Sequence, residues 1–198
     1  MDYRGKAGIQ DVSFHSSRVE PRLGNMTEQQ PYTVLKKYDG FELRSYPRHV
    51  LVQVTVRGSF MSAGNIGFGP LIRYISGGNQ TGQKIPMTAP VVQSSHDPET
   101  HVVSFVLPSG MQLSDVPIPA DARVSVAEQP EQLVAAKRFS GGWNQERFTG
   151  ESEELLAAVT KAGLATLGSV YFARYDPPWK PGFLKRNEAL IQVSAPKK

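Results

Sequence analysis

Few side chains in this chain could do chemistry, and their types narrow what it can do. There is no cysteine, which excludes disulfides, zinc-cysteine centres, thiol catalysis and thiolate ligation. Of the four histidines, His15, His49, His96 and His101, no pair has metal-ligand spacing. No nucleophile elbow, Walker loop, dinucleotide fingerprint or zinc-peptidase motif occurs. Glu128, Tyr74 and Tyr171 could form an acid and base pair if one cavity gathered them, which spacing alone does not establish. The run Tyr175-Asp176-Pro177-Pro178-Trp179-Lys180-Pro181 has two readings. Its consecutive prolines hold an extended backbone that stiffens a lip of the fold, and Trp179 offers a flat face for stacking, with Lys180 beside it for a carboxylate.

These residues need elements to position them. Ser59 is a good N-cap for a first helix carrying Phe60, Ala63, Gly67, Leu71 and Ile75 along one face. Gly64, Gly67, Gly69 and Pro70 weaken or kink it. Gly77 and Gly78 end it, Asn79 to Gly82 form a loop, and a strand over Lys84 to Gln93 follows. Pro86 and Pro90 place that strand at an edge or bulge. Earlier, Tyr32 to Tyr46 contains one extended run and His49 to Val56 alternates as another. After Pro108 to Asp121 the order repeats: strands at 124–128 and 132–139, a regular helix at 151–163, and closing strands at 170–175 and 189–193. Residues 1–30 lack periodicity and read as a disordered or vector-derived tail, with Met26 a plausible start. Residues 31–195 read as one domain, with pseudo-repeats over about 32–107 and 123–193.

Composition bounds the function. With 198 residues and 39% hydrophobic content the chain can bury a core, and no segment approaches a membrane span. A cytoplasmic protein is expected. The net charge of +4 is spread along the chain, which argues against nucleic acid and suits an anionic small molecule.

The stretch Gly77 to Val92, GGNQTGQKIPMTAPVV, resembles the signature of the SOUL/heme-binding protein family. FELRSYP at Phe41, KRFSGGW at Lys137 and YFARYDPPWKPGFLKRNE at Tyr171 agree with it in order, so the resemblance spans Tyr32 to Val193. It implies an α+β fold, a distorted antiparallel β-barrel with two flanking helices, built from a pseudo-repeat of strand-strand-helix-strand-strand. It also implies heme or another tetrapyrrole as cofactor, held non-enzymatically in an apolar surface groove for buffering or transport. The groove residues would be Phe68, Leu71, Ile72, Ile75, Met87 and Trp179, each of which also reads as an ordinary core or structural residue. The resemblance places Arg73, Lys84 and Lys180 near its rim for the propionates. Aligned on Gly77-Gly78, the positions of the family's helix methionines and basic residues hold Ile66, Gly69, Arg73 and Tyr74; both methionines are absent. Where one branch has an axial His after Glu-x-Arg, this chain has Ser45, leaving His49 as a speculative iron ligand. The alternatives are a small-molecule sensor or hydrolase of the related effector-binding fold, or a protein-interaction module that has lost heme binding.

Overall fold

A computed structural model describes residues 27–177 and 179–194. Most of the expected tail, His15 and Met26 included, lies outside the described residues. Eleven strands and two helices follow in order: β1 (Glu28–Gln29), β2 (Thr33–Tyr38), β3 (Phe41–Tyr46), β4 (His49–Arg57), α1 (Phe60–Ile75), β5 (Thr88–Ala89), β6 (Val91–Asp97), β7 (Thr100–Val106), β8 (Val124–Gln129), β9 (Gln132–Ser140), α2 (Gln145–Lys161), β10 (Thr166–Arg174) and β11 (Arg186–Val193). Nine strands form one antiparallel sheet in the order β2-β3-β9-β11-β10-β6-β7-β4-β8. The fold is α+β with two helices as expected, and the sheet, with β2 and β8 as its outer strands among the described residues, is compatible with the distorted barrel without closing fully.

Several boundaries differ for local reasons. The single run expected over Tyr32 to Tyr46 is a hairpin, because Asp39-Gly40 supplies a tight turn with Gly40 at φ +87°. The proline-containing strand shrinks to β5, which pairs with β1, and β6 starts after Pro90. The second helix begins at Gln145, six residues earlier than expected. Asn144 caps it by accepting from the Glu146 amide at 2.9 Å, and buried Phe148 anchors its first turn.

The repeat is real in order but crossed in pairing. β3 does not pair with β4, its neighbour in sequence; it joins β9 of the second half, while β8 joins β4 of the first. Each half thus holds the other's leading strand, and the two meet at β6 and β10 through three residue pairs. Both helices cover one face. α1 packs Ala63, Leu71, Tyr74 and Ile75 on alternate residues of β4, Val50 to Val56, and on Val103 and Phe105. α2 packs Phe148, Leu155 and Val159 on Phe41, Leu43, Ala135, Phe139, Phe172 and Ile191. Among the described residues no helix is long and apolar enough to cross a membrane.

The glycines of α1 have a packing cause. A Cβ on Gly67 would lie 2.7 Å from the Val103 Cβ, so the helix needs glycine there to approach the sheet. Gly150 in α2 faces open space. Gly67→Ala should therefore cost about 1–3 kcal/mol through overpacking. Gly150→Ala should stabilise by about 0.5–1 kcal/mol. Urea unfolding of the two variants checks the opposite signs.

Candidate functional site

The first region lies where α1, the segment after it and the loop leaving β10 border the junction of the halves. Register places them there: Arg174 pairs with Val91, Val91 pairs with Phe105, and the Phe68 ring stands 5.3 Å from the Phe105 ring. Phe68 is 37% exposed and Ile72 is half-buried against the α1 core. Leu71 and Ile75, expected to line a cleft, are core residues instead, because the helix turns them onto the sheet. Arg73 is exposed and only 4.0 Å from Asp121, which Arg123 already binds at 2.6 Å. Lys84 is exposed. Met87, 38% exposed, is held between Ile85, whose amide donates to the Ile75 carbonyl, and Thr88, whose hydroxyl donates to the Val106 carbonyl. On the β10 loop, Trp179 is 84% exposed, with Phe183 and Leu184 also outward. Lys180 is paired with Asp176 at 2.6 Å.

His49 does not join this group. The alternation that turns Val50, Val52, Val54 and Val56 toward α1 turns His49 to the opposite face. Its Nδ1 donates to the Pro47 carbonyl at 2.8 Å, and burial lowers its pKa. Among the described residues no three His, Cys, Asp or Glu side chains cluster as a metal site.

Beneath the junction lies a feature that sequence reading missed. Arg174, 6% exposed, points to the helix side. Its Nη2 donates to Gln93 Oε1 at 2.5 Å, and Gln93 donates in turn to the Phe60 carbonyl at 2.6 Å. Its guanidinium carbon sits 3.3 Å from the Trp143 ring centroid, and a Cβ on Gly64 would come within 2.5 Å of the guanidinium. Among the described residues its Nε has no partner, and burial pushes its pKa down to about 9. The only hint in the sequence is an Arg on the inward side of a strand whose neighbours, Phe172 and Ala173, are apolar.

Two cavities of about 410 Å³ lie elsewhere. One, on the helix side, is lined by Phe60, Ser95, His101, Phe148 and Phe172 among others. There the His101 Nε2 donates to the Gly58 carbonyl at 3.0 Å, so Nδ1 accepts from the Ser95 hydroxyl at 2.8 Å. The second, on the face away from the helices, is lined by Tyr32, Arg44, Arg138, Arg186 and Glu188 among others. Glu128, Tyr74 and Tyr171 line neither cavity. Glu128 is bound to Arg48, and the Tyr74 hydroxyl is spent on the Pro117 carbonyl at 2.6 Å.

The second cavity has a closed charge network behind it. Glu188, 0% exposed, accepts from Arg44 at 2.7 and 3.2 Å, from Arg186 at 2.8 and 3.2 Å and from the Tyr175 hydroxyl at 3.0 Å. Tyr32 stacks on Arg44 and Tyr175 on Arg186. Burial alone would raise the Glu188 pKa, but the two arginines hold it below the usual carboxylate value.

Sequence comparison decides the family. The profile described as SOUL heme-binding protein matches residues 27–192. The chain belongs to the SOUL heme-binding protein family. Similar SOUL relatives include human heme-binding protein 2, 31% identical over 168 residues, covering 80% of each chain. Heme-binding protein 1 of Xenopus laevis is 26% identical over 178 residues, covering 84% of this chain and 92% of that one. By fold the chain resembles the EcmrR C-terminal domain, with TM-score 0.63 and 13% identity, covering 79% of this chain and 98% of the other. It also resembles a hydrolase from Listeria innocua, with TM-score 0.54 and 12% identity, covering 81% and 94%. At such identities these two share the fold alone.

The SOUL fold of this chain carries an acid-sensitive linchpin at Glu188. Its folded pKa is depressed below the reference 4.5. Its stabilisation is therefore complete above the unfolded-state value and disappears as pH falls through the folded one. Glu188→Gln should cost about 3–5 kcal/mol at pH 7, because it takes the carboxylate from half-buried Arg186 and leaves buried Arg44 only the partly exposed Glu42 as counter-charge. Thermal melts from pH 7 to 3 should show a steep fall for the wild type below pH 4.5 and a flatter one for the variant.

Proposed function

We propose that this chain binds heme or a related tetrapyrrole in a shallow surface groove bordered by α1, the Lys84–Thr88 segment and the Trp179–Leu184 loop, as a cytosolic carrier or buffer and not as an enzyme. The observation that carries the reading is the set of outward apolar side chains, Phe68, Met87, Trp179, Phe183 and Leu184, in a member of a heme-binding family. A planar macrocycle needs an apolar surface on its face and cations at its carboxylates. The exposed side chains supply the first, and Arg73, Lys84 and Lys180 can supply the second.

The donor set fits the ring better than it fits the iron. His49 is turned to the opposite face, so among the described residues that border the proposed groove the Met87 thioether is the soft donor. Bound heme would bring redox-active iron, while the protein's part is to cover the ring and orient its carboxylates. Apolar burial then dominates affinity.

Titration followed by absorbance and tryptophan quenching tests this. Hemin and iron-free protoporphyrin should bind one to one with similar affinity. Phe68→Ala and Trp179→Ala should each weaken binding by roughly 5- to 30-fold, or about 1–2 kcal/mol. His49→Ala should leave the Soret band of the hemin complex unchanged. Linear, unsaturable quenching by both rings, or a low-spin band lost in His49→Ala, would overturn the proposed groove.

A further inference from the structure

We infer that Arg174 is a built seat for a carboxylate of the bound ring, closed in this structure by Trp143. The inference rests on the tetrapyrrole reading and deepens it, because none of the rim cations expected from the family resemblance includes Arg174.

A guanidinium that is 6% exposed needs an anion or a full set of acceptors. Arg174 has neither among the described residues. Its polar partner is a neutral amide, Gln93, its Nε has no acceptor, and its broad face is covered by an indole. The same protein handles its other buried arginine differently: Arg44 is met by both oxygens of Glu188. The void that admits Arg174 is kept by Gly64, where any larger residue would strike the guanidinium. A carboxylate would satisfy the orphan Nε and restore charge balance, the bidentate match for which arginine geometry is suited.

The position also suits the proposed groove. Phe68 lies one helical turn, about 6 Å, beyond Gly64 along α1, so a ring stacked at Phe68 lies beside the Arg174 seat. The cover lies outside the sheet ladders, half-buried with its ring 6.4 Å from that of Phe148 of α2. Trp143 follows Gly141, at φ +125°, and Gly142, in the short connection between β9 and α2. That connection touches the outward loop through the Gly141 amide, which donates to the Gly182 carbonyl at 3.0 Å. A ligand on the Trp179–Leu184 loop therefore acts on the segment that carries the cover.

Binding of protoporphyrin and of its dimethyl ester, which keeps the ring and removes both charges, separates the seat from the groove. Wild type should prefer the diacid by roughly tenfold or more, as a charge-assisted pair requires. Arg174→Met should erase most of that preference while leaving diester affinity unchanged, and Arg174→Lys should restore part of it. Trp143→Ala, which opens the seat and leaves Arg174 in place, should widen the preference and keeps the test intact should Arg174→Met not fold. One constant diacid-to-diester ratio across wild type, Trp143→Ala and Arg174→Met would overturn the seat while leaving the tetrapyrrole reading standing. Failure of both forms to bind any of these proteins would overturn both.

Discussion

The crossed pairing of β3 with β9 and of β8 with β4 is the constraint on which the arrangement depends. The β6–β10 ladder alone joins the halves through only three residue pairs, a short span for a domain junction. Because each half also completes its sheet with a strand from the other, the junction cannot part without breaking two further ladders. The helices are thereby fixed on one face with a seam between their cores, and Arg174, Gln93 and Phe60 occupy that seam. A rigid frame under a groove reduces the ordering cost of binding, since the supporting side chains need not be rearranged.

Charge is treated in opposite ways on the two faces of the sheet. Away from the helices, Glu188 gathers Arg44, Arg186 and Tyr175 into a satisfied network, and Arg44 is held more firmly protonated than a free arginine. On the helix face, Arg174 is buried against an amide and an indole, and its proton is loosened by burial. Both arginines sit in β-strands of one sheet, so strand geometry does not explain the contrast. The presence or absence of a buried carboxylate does. The chain has 18 acidic residues, and the seam received none within contact of Arg174 among the described residues. Such a deficit is costly for stability alone and reasonable where a ligand brings the missing charge.

Much of this was legible in the sequence, for identifiable reasons. Alternation over His49 to Val56 and the Ser59 cap located β4 and the start of α1, since both signals are local. The repeated order of elements was visible, but the exchange of β3 and β8 was not, because pairing is decided by contacts between residues roughly 70 to 95 apart in sequence. Helical periodicity marked Leu71 and Ile75 as one face yet could not say whether that face met the sheet or a ligand; it meets the sheet. His49 looked available because it opens a strand, and only its parity with Val50 reveals that it faces away from α1. Arg174 was hidden by the opposite problem. An arginine ordinarily snorkels to water, and nothing within the strand announces that Gly64, Gln93 and Trp143 will enclose it.

The energetics of the exposed side chains explain why a charged anchor would matter. The β10 loop turns twice, with the Lys180 amide donating to the Pro177 carbonyl at 3.2 Å and a 3-10 turn at Gly182–Leu184, and Trp179, Phe183 and Leu184 remain 84%, 76% and 55% exposed. A ring covering roughly 300 Å² of apolar surface there would gain about 7–8 kcal/mol at ~25 cal/mol per Å². Association alone consumes roughly 4–15 kcal/mol of such a gain. Stacking on an open groove is therefore close to break-even, and it does not discriminate among flat apolar molecules. A carboxylate paired with a buried guanidinium changes that balance, because desolvated, charge-assisted hydrogen bonds strengthen where the dielectric is low. Under this scheme the aromatic loop captures a ring reversibly and Arg174 selects the acidic ones, a division of labour that lets a carrier release its ligand without unfolding any part of its frame.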